Sequence, residues 1–274
     1  QDKLTEILSR KIKDGRVLSL IRKYLKAGVM VGSELQRTDV GVPQGGNLSP
    51  LLANIMLNEL DYELERRGHK LVRYADDTVI FCKSKRAAQR ILENILPYIE
   101  GKLFLRVNRE KTKIADIGKI KFLGYGFYKG RTGYALRVHA KSRAKMKARV
   151  RELTSRRTVN DYEKWKIDLK RYVVGWVNYY KLADMGKYLQ SIDEWMRKRI
   201  RMVFWKKWKR VRTRWRNLMK LGISNRNAGI LANSRKGYWR IASSPILQTA
   251  LSNRRLEKAE FQFFYSYYRK SVAA

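Results

Sequence analysis

The strongest constraint on this chain is its charge, because any fold must separate a large excess of like charges or provide them with a partner. The 274 residues include 62 lysines and arginines against 24 aspartates and glutamates, a formal net charge of +38. Residues 1–138 contain 27 basic and 15 acidic residues, whereas residues 139–274 contain 35 and 9. This charge favours a polyanionic partner such as nucleic acid and predicts that the second half binds it more strongly.

The pattern of hydrophobic residues also changes near residue 139. Strand-like alternation occurs before this point, and helical periodicity prevails after it. With 44% hydrophobic residues the chain can bury one or two cores, and we predict two domains, residues 1–139 and 140–274. The tryptophans all lie in the second: Trp165, Trp176, Trp195, Trp205, Trp208, Trp215 and Trp239.

Several classes of protein are disfavoured by the composition. There is no apolar run near the length of about 18 residues that a membrane-spanning helix needs, and the first residues do not have the pattern of a secretory leader. Cys82 is the single cysteine and cannot form an internal disulfide, while two histidines, His69 and His139, are too few for a structural zinc site. We expect no membrane insertion and a cytoplasmic setting of bacterial type, or an organelle in a eukaryote.

Helical segments are predicted at three places in the first half. Residues 3–27 indicate two short helices around Gly15. A longer helix is expected to start with Ser49 as its N-cap and to end near Gly68, and another starts at Ser84. The expected buried stripe of the longer helix is Leu52, Ile55, Met56, Leu60 and Leu64.

Strand patterns alternate with these helices. Leu71–Tyr74 and Thr78–Phe81 flank Ala75-Asp76-Asp77, which predicts a hairpin with acidic residues at its turn. A strand is expected at Leu103–Val107, and Phe122–Tyr128 is expected to pair with Tyr134–Val138. The fold class predicted for the first half is therefore α+β with an antiparallel sheet. The first hairpin is expected to face the core with Val72, Tyr74, Val79 and Phe81.

The second half is predicted to be all-helical and to carry one cationic side. Its longest helix is expected to begin at a capping box formed by Ser191 and Glu194 and to run toward Gly222. Like charges at this density repel one another, so an anion such as RNA should neutralise them. Most tryptophans are expected in the core, with Trp205 and Trp208 as exceptions. The candidate RNA-binding residues of this helix are Arg197, Arg201, Lys206, Lys207, Lys209 and Arg210.

Asp76 and Asp77 are the candidate chemical groups. Two carboxylates projected together can hold Mg²⁺, which prefers hard oxygen ligands and substrate phosphate oxygens. Two-metal catalysis of phosphoryl transfer uses such a site. An isolated Asp-Asp pair is more simply explained as turn residues, so the assignment depends on the surrounding sequence.

The surrounding motifs occur in an order that resembles the reverse transcriptases of bacterial group II introns, also called intron-encoded maturases. Gly41–Ile55, with Pro43-Gln44-Gly45, resembles the loop and helix of the family, and Tyr74-Ala75-Asp76-Asp77 resembles its active-site box. Asn108–Thr112 resembles the lysine motif and Phe122–Tyr125 the primer grip. Two later motifs resemble the helical thumb, or X domain: Gly175–Ala183 and Ala232–Trp239.

The resemblance implies a polymerase palm followed by an all-α thumb, and an RNA-directed DNA polymerase that also binds intron RNA to assist splicing. It implies Mg²⁺ as cofactor, and an RNA template, a DNA primer, deoxynucleoside triphosphates and structured intron RNA as partners. Asp76 and Asp77 would bind the metal and Lys111 would approach the triphosphate. The nucleotide and templating base would meet Gln44, Gly45, Tyr74 and Ala75. The primer grip would be Leu123 and Gly124, and the later motif would add Arg235 and Lys236 as RNA contacts.

The sequence departs from the family at its start. In the family a further aspartate, in a strand before the position of Gln1, completes the metal site, and the fingers precede it. Asp2 belongs to the following helix and is not expected to replace it. A chain that supplies the fingers is therefore an expected partner. The alternatives are a polymerase-inactive RNA-binding maturase fragment or one piece of a split reverse transcriptase. A nucleotidyl cyclase ranks lower, because the basic helical half has no use in making a small cyclic nucleotide.

Overall fold

The structure is a computed structural model that describes residues 1–31, 34–36, 41, 45–131, 133–157, 159 and 161–273. In these residues the chain is mostly helical and has small antiparallel sheets. The chain divides into two packed units, Gln1–Asp116 and Ile117–Ala274. The predicted α+β fold class is confirmed for the described residues. The domain boundary near residue 139 stays a prediction. In the packed structure the strands between residues 121 and 138 belong to the second unit. Within the described residues, no helix is both long and apolar enough to span a bilayer.

The first unit places a long central helix beside a hairpin. Its elements are α1 (Asp2–Lys11), α2 (Gly15–Lys26), β1 (Val29–Val31), β2 (Glu34–Gln36), α3 (Ser49–Arg66), β3 (Lys70–Tyr74), β4 (Asp77–Phe81) and α4 (Lys85–Pro97). The two helices predicted around Gly15 are confirmed, as is the start of α4, where the Ser84 hydroxyl accepts a hydrogen bond from the backbone N–H of Ala87.

Helix α3 contributes the centre of the first core. Four residues of the predicted stripe are buried at intervals of four, and Ile55 packs beside them. The helix ends at Arg66, close to the predicted Gly68, whose φ of 76° suits a glycine. Ser49 is the first helical residue and not the cap, and its hydroxyl lies 3.0 Å from the hydroxyl of Tyr24. The core consists of Leu4, Ile7, Leu8, Leu25, Leu52, Met56, Leu60, Leu64, Ile95 and Leu103.

The strand predicted at Leu103–Val107 is not formed. Helix α4 continues into a π-type turn, Tyr98–Lys102. The backbone N–H groups of Leu103 and Leu105 donate to the carbonyls of Tyr98 and Ile99 in this turn, at 3.1 and 3.0 Å. These donors are therefore already used and cannot join a strand ladder, although the residue types favour a strand.

The second unit joins a three-stranded sheet to a helical bundle. The sheet has the order β5 (Lys121–Phe122), β6 (Tyr125–Lys129) and β7 (Tyr134–Val138). The predicted pairing with Tyr134–Val138 is confirmed for Tyr125–Tyr128. The single strand predicted from Phe122 is wrong, because a turn interrupts it and Phe122 pairs with Tyr125. The helices are α5 (Ala140–Leu153), α6 (Tyr162–Tyr180), α7 (Gly186–Lys207), α8 (Val211–Lys220), α9 (Asn225–Ala232), α10 (Tyr238–Ile241), α11 (Pro245–Ala250), α12 (Asn253–Lys258) and α13 (Phe264–Ala273).

The single long helix predicted from Ser191 toward Gly222 is two helices. Ser191 lies inside α7, where its hydroxyl donates to the carbonyl of Tyr188 (2.8 Å), so the predicted capping box is wrong. Helix α7 ends at Lys207, and the following carbonyl of Trp208 accepts from Arg214 Nε at 3.0 Å. No glycine or proline marks this break, so the amphipathic pattern continues across it.

Most tryptophans lie in or against the core of the second unit, as predicted. The two that were expected to be exceptions, Trp205 and Trp208, also pack there. Trp205 is only 1% exposed, and Trp208 packs against the same core. Trp215 and Trp239 are instead the more exposed. Residue spacing on a helix that packs on several neighbours does not distinguish a core tryptophan from one at the edge.

Asp193 is a buried residue of α7 whose carboxylate caps the N-terminus of helix α13. Its two oxygens accept hydrogen bonds from the backbone N–H groups of Phe264 and Tyr265, each at 2.9 Å. Burial outweighs these bonds and raises the pKa of Asp193 to about 6. The N-terminus of α13 is therefore held by a group that titrates within the core of the second unit.

The Asp193 carboxyl should reduce the stability of the second unit as the pH rises from about 4 to about 6. Above its ordinary pKa of 3.8 the unfolded chain releases a proton that the folded protein keeps until about 6. The unfolding free energy of the wild type minus that of Asp193→Asn should fall through this window, by up to about 1.4 kcal/mol per pH unit, and then level off. Urea unfolding followed by tryptophan fluorescence measures it. A difference that is flat or rises with pH would contradict the assignment.

Candidate active site and nucleic-acid surface

Asp76 and Asp77 lie at the tip of a two-stranded hairpin in the first unit. Strands β3 and β4 pair from Lys70 opposite Phe81 to Tyr74 opposite Asp77, which leaves Ala75 and Asp76 as the turn. Ala75 has a φ of 52°, a left-handed conformation that costs a non-glycine residue about 1–2 kcal/mol. Both aspartates are exposed. The predicted hairpin is confirmed, and it presents two adjacent carboxylates to solvent.

The face of the hairpin that packs against the first core is the opposite of the predicted one. Leu71 and Ile80 are directly opposite each other and pack against the first core. The predicted face points away, with Val72 47% exposed and Tyr74 63% exposed. Alternation identifies the two faces of a strand but not which of them is buried. Asp77 shares the exposed face because it is paired with Tyr74.

Arg73 connects the turn to helix α3. Its Nε lies 2.8 and 2.9 Å from the carboxylate oxygens of Asp61, and its Nη2 donates to the same group at 2.5 Å. Its Nη1 donates to the Asn54 side-chain oxygen at 2.8 Å and to the carbonyl of Ala75 at 2.9 Å. Hydrogen bonds to Asp61 raise the pKa of Arg73. One charged side chain thus ties the aspartate turn to two residues of α3.

Lys111 lies in a turn organised by Asn108. The Asn108 side-chain oxygen accepts from the backbone N–H of Lys111 at 3.1 Å, and its carbonyl accepts from the hydroxyl of Thr112 at 2.8 Å. Lys111 is exposed and forms no ion pair with the described residues. Its role at a triphosphate stays a prediction.

Of the residues predicted to meet the nucleotide in the glycine-rich loop, Gln44 lies outside the described residues. Gly45 has a φ of 80°, and apart from its chain neighbours no atom of the described residues lies within 4 Å of the place where a Cβ would sit. At Gly46, by contrast, a Cβ would collide with the hydroxyl of Tyr24. Glycine is therefore required at the first position by backbone conformation and at the second by space.

Leu123 and Gly124 form the two-residue turn between β5 and β6 in the second unit. Both have positive φ, 49° and 80°, as in a type I′ hairpin turn. The carbonyl of Leu123 accepts from the Tyr179 hydroxyl at 3.0 Å. The carbonyl of Gly124 accepts from the Ser142 hydroxyl at 2.9 Å and from the backbone N–H of His139 at 3.0 Å.

Tyrosines at the end of α6 pack around this turn. The ring of Tyr125 lies 6.2 Å from that of Tyr179 and 5.2 Å from that of Tyr180, and its hydroxyl donates to the carbonyl of Tyr179. A Cβ on Gly124 would collide with the hydroxyl of Tyr180. The motifs Phe122–Tyr125 and Gly175–Ala183, which are separate in the sequence, are thus in contact in the fold.

The basic residues predicted on one face of the long helix do not all reach solvent. Arg201 is 7% exposed and donates to the Leu251 carbonyl and the Asn253 side chain, each at 2.9 Å. Arg201 therefore holds two helices together, which corrects its assignment to the RNA surface. Arg197 is half-buried over the ring of Phe263 and 3.6 Å from Glu257.

The remaining predicted RNA contacts are more accessible. Lys206 is half-buried with its Nζ 5.1 Å from the centre of the Tyr238 ring, and Lys207 is half-buried beside it. Four others are exposed: Lys209, Arg210, Arg235 and Lys236. Contact of these residues with RNA stays a prediction.

Two groups of residues were not predicted from the sequence. Arg73 directly precedes the aspartate box, but nothing in the sequence indicates that it pairs with Asp61 twelve positions earlier. The second group gathers arginines from α5, α7 and the segment after α5 around one pocket: Arg151, Arg156, Arg157 and Arg199. These arginines are dispersed in the sequence and are brought together by the packing of the helices.

The described residues contain no group of three or more histidine, cysteine or acidic side chains able to hold a metal ion. Asp76 and Asp77 nevertheless provide adjacent, exposed carboxylates. Magnesium is often bound by one or two carboxylates with water and substrate phosphates completing its shell, so this donor set fits a hard divalent cation bound together with substrate.

Comparison with known families finds two matches along the chain. The family described as reverse transcriptase (RNA-dependent DNA polymerase) matches residues 2–127, and the group II intron, maturase-specific domain matches residues 143–222. The first match contains the Asp76-Asp77 hairpin and the Leu123-Gly124 turn, and the second contains α6 and α7.

Curated relatives agree with these matches. Protein YkfC of Escherichia coli K12 is 33% identical over 166 residues, with 48% of this chain and 44% of that protein covered. The group II intron-encoded protein LtrA of Lactococcus lactis subsp. cremoris is 31% identical over 195 residues, with 47% and 33% covered. A 91 kDa protein in the cob intron of Schizosaccharomyces pombe is 50% identical over 64 residues. The chain spans less than half the length of each.

Replacing Gly124 by alanine should destabilise the second unit by about 2 kcal/mol or more. The left-handed backbone alone costs about 1–2 kcal/mol, and the new methyl group meets the Tyr180 hydroxyl. In a Tyr180→Phe background the same substitution should cost less, because the colliding hydroxyl is absent. Denaturant unfolding followed by tryptophan fluorescence reports this unit, since every tryptophan lies in it.

Gly222→Ala is the matched control for the backbone cost. Gly222 has a φ of 79°, and the nearest atom to its hypothetical Cβ is 3.7 Å away, an ordinary contact distance. Its substitution should cost the same with or without the Tyr180 hydroxyl. Equal destabilisation at both glycines in both backgrounds would contradict the proposed packing of Tyr180 on the turn.

Proposed function

Because the chain belongs to the group II intron reverse transcriptase/maturase family, we propose that it takes part in RNA-directed DNA synthesis with Mg²⁺ and binds intron RNA to assist splicing. The observation that carries the proposal is the pair of exposed carboxylates at the β3–β4 turn, inside the reverse transcriptase match. The chain covers only part of its curated relatives, so the activity, substrates and partners of a whole protein are proposed here for it.

The proposed chemistry is nucleotidyl transfer to a primer 3′ hydroxyl. When bound, divalent cations would activate that oxygen and stabilise the leaving pyrophosphate. Asp76 and Asp77 would hold the cations, and Arg73 would keep their turn in place through the Ala75 carbonyl. The exposed Tyr74 and Ala75 would lie against the nucleotide, with Gln44 and Gly45 beside the templating base. Lys111 would neutralise charge on the triphosphate.

The second part of the proposal concerns RNA and primer. Leu123 and Gly124 would position the primer terminus from a turn whose carbonyls are fixed by Tyr179 and Ser142. The helical second unit would bind folded intron RNA, because most of the net positive charge lies there. A cytoplasmic or organellar location follows from the same proposal.

A second candidate function is an RNA-binding maturase fragment without polymerase activity, or one piece of a split enzyme. It is favoured by the small number of carboxylates, because the described residues contain no group of three or more acidic side chains able to hold a metal ion. In that case another chain would supply the third carboxylate and the fingers.

Primer extension on an RNA template with a DNA primer, deoxynucleoside triphosphates and Mg²⁺ tests the proposal. Asp76→Asn with Asp77→Asn should reduce extension to background, because the carboxylates that bind the cations are removed. RNA affinity in a filter-binding assay should change by less than about twofold, since neither aspartate binds a phosphate directly.

The matched control is Asp2→Asn with Asp116→Asn, which removes the same charge from exposed positions in the first unit. It should leave extension unchanged. Retained extension in the Asp76, Asp77 variant would contradict the catalytic assignment. A wild type that binds RNA tightly but does not extend a primer would support the binding-fragment alternative.

A further inference from the structure

An open pocket of about 460 Å³ lies in the second unit between the C-terminal end of α5, the segment that follows it, and α7. Its lining consists of Arg151, Ser155, Arg156, Arg157, Arg199 and Met202. Four of the six side chains therefore carry guanidinium groups. Guanidinium is the side-chain group best matched to phosphate, because its N–H donors form a planar fork.

Arg199 forms the fixed part of this pocket. Its Nε donates to the Thr154 hydroxyl at 2.5 Å, and its Nη2 donates to the carbonyls of Arg151 and Thr154 at 2.9 and 3.2 Å. All of these acceptors are uncharged. Burial, and then the charge of Arg151, lower the pKa of Arg199. The fold thus holds a half-buried cation in one orientation without neutralising it.

No acidic side chain compensates the four arginines within the described part of the chain. None of them forms an ion pair there, and the nearby Glu152 is paired with Arg149 at 2.7 Å. A half-buried cation beside like charges is costly unless an anion binds. This uncompensated charge is the feature that indicates a ligand.

The pocket continues into the basic surface that the sequence predicted. The Arg156 guanidinium lies 4.9 Å from the centre of the Tyr238 ring, and Lys206 lies 5.1 Å from the same ring. Lys198 lies 4.0 Å from the centre of the neighbouring Trp239 ring. Two aromatic rings of α10 therefore contact three cations without removing their charge.

We propose that this arginine pocket binds a backbone phosphate of folded RNA and is an anchor point of the second unit on its RNA. The inference rests on the proposed RNA-binding function and deepens it, because it assigns a defined phosphate site where the sequence indicated only a charged helix face. RNA is favoured over a free phosphate ion because the pocket is continuous with Lys206 and Lys198, which can follow the neighbouring phosphates of a chain.

Binding of a labelled RNA stem-loop over a range of salt concentrations tests the site. The variant is Arg151→Gln, Arg156→Gln, Arg157→Gln; Arg199 is kept because its hydrogen bonds support Thr154. The three replaced side chains donate no hydrogen bond within the described residues, so the fold should be retained, as circular dichroism and tryptophan fluorescence can verify. The matched control replaces three exposed arginines on other helices, Arg171, Arg226 and Arg269, by glutamine.

The pocket variant should bind the RNA at least about tenfold more weakly than the control variant, which has the same net charge. The slope of log affinity against log salt should also become shallower by about 0.7–0.9 for each phosphate that the variant no longer neutralises. Equal weakening in the two variants, with tight binding by the wild type, would overturn the pocket and leave the proposed function standing. If the wild type itself does not bind the RNA, both the pocket and the RNA-binding function are wrong.

Discussion

The placement of the two adjacent carboxylates depends on one guanidinium. A two-stranded hairpin is marginally stable by itself, and β3 and β4 pair only with each other among the described strands. Leu71 and Ile80 attach one face to the core, but they do not reach the turn. Arg73 does, because the same side chain binds Asp61 and Asn54 on α3 and the carbonyl of the left-handed Ala75. A strained turn in a functional position persists when its surroundings determine it in this way.

In the second unit, too, polar side chains of neighbouring helices hold a hairpin turn in place. Leu123 and Gly124 have left-handed backbone conformations, and side chains from α5 and α6 hold their carbonyls. In both units a short hairpin presents backbone and side-chain groups at its tip, and an adjoining helix holds the tip with polar contacts. Rigid helices thereby hold both hairpin tips in position.

Local patterns predicted much of this arrangement, and tertiary contacts account for the rest. The Asp76-Asp77 hairpin, helix α3 and the β6–β7 pair follow from alternation, periodicity and turn residues. The buried face of the hairpin could not be predicted, because alternation is symmetric. The strand expected at Leu103–Val107 does not form because a π-type turn uses its backbone donors. Arg201 was assigned to solvent from helical spacing, yet it is buried against Leu251, a neighbour fifty residues away.

Hydrogen–deuterium exchange across residues 70–81 tests most directly whether Arg73 holds the aspartate turn on α3. Arg73→Gln and Asp61→Asn should each speed exchange in this segment while α3 stays protected, and the double variant should add little to either. Glu63→Gln, which breaks pairs with Arg66 and Arg67 on the same helix, should leave the segment unchanged. Wild-type exchange in residues 70–81 of the Arg73 and Asp61 variants would contradict this role, because the turn would then be held without the guanidinium.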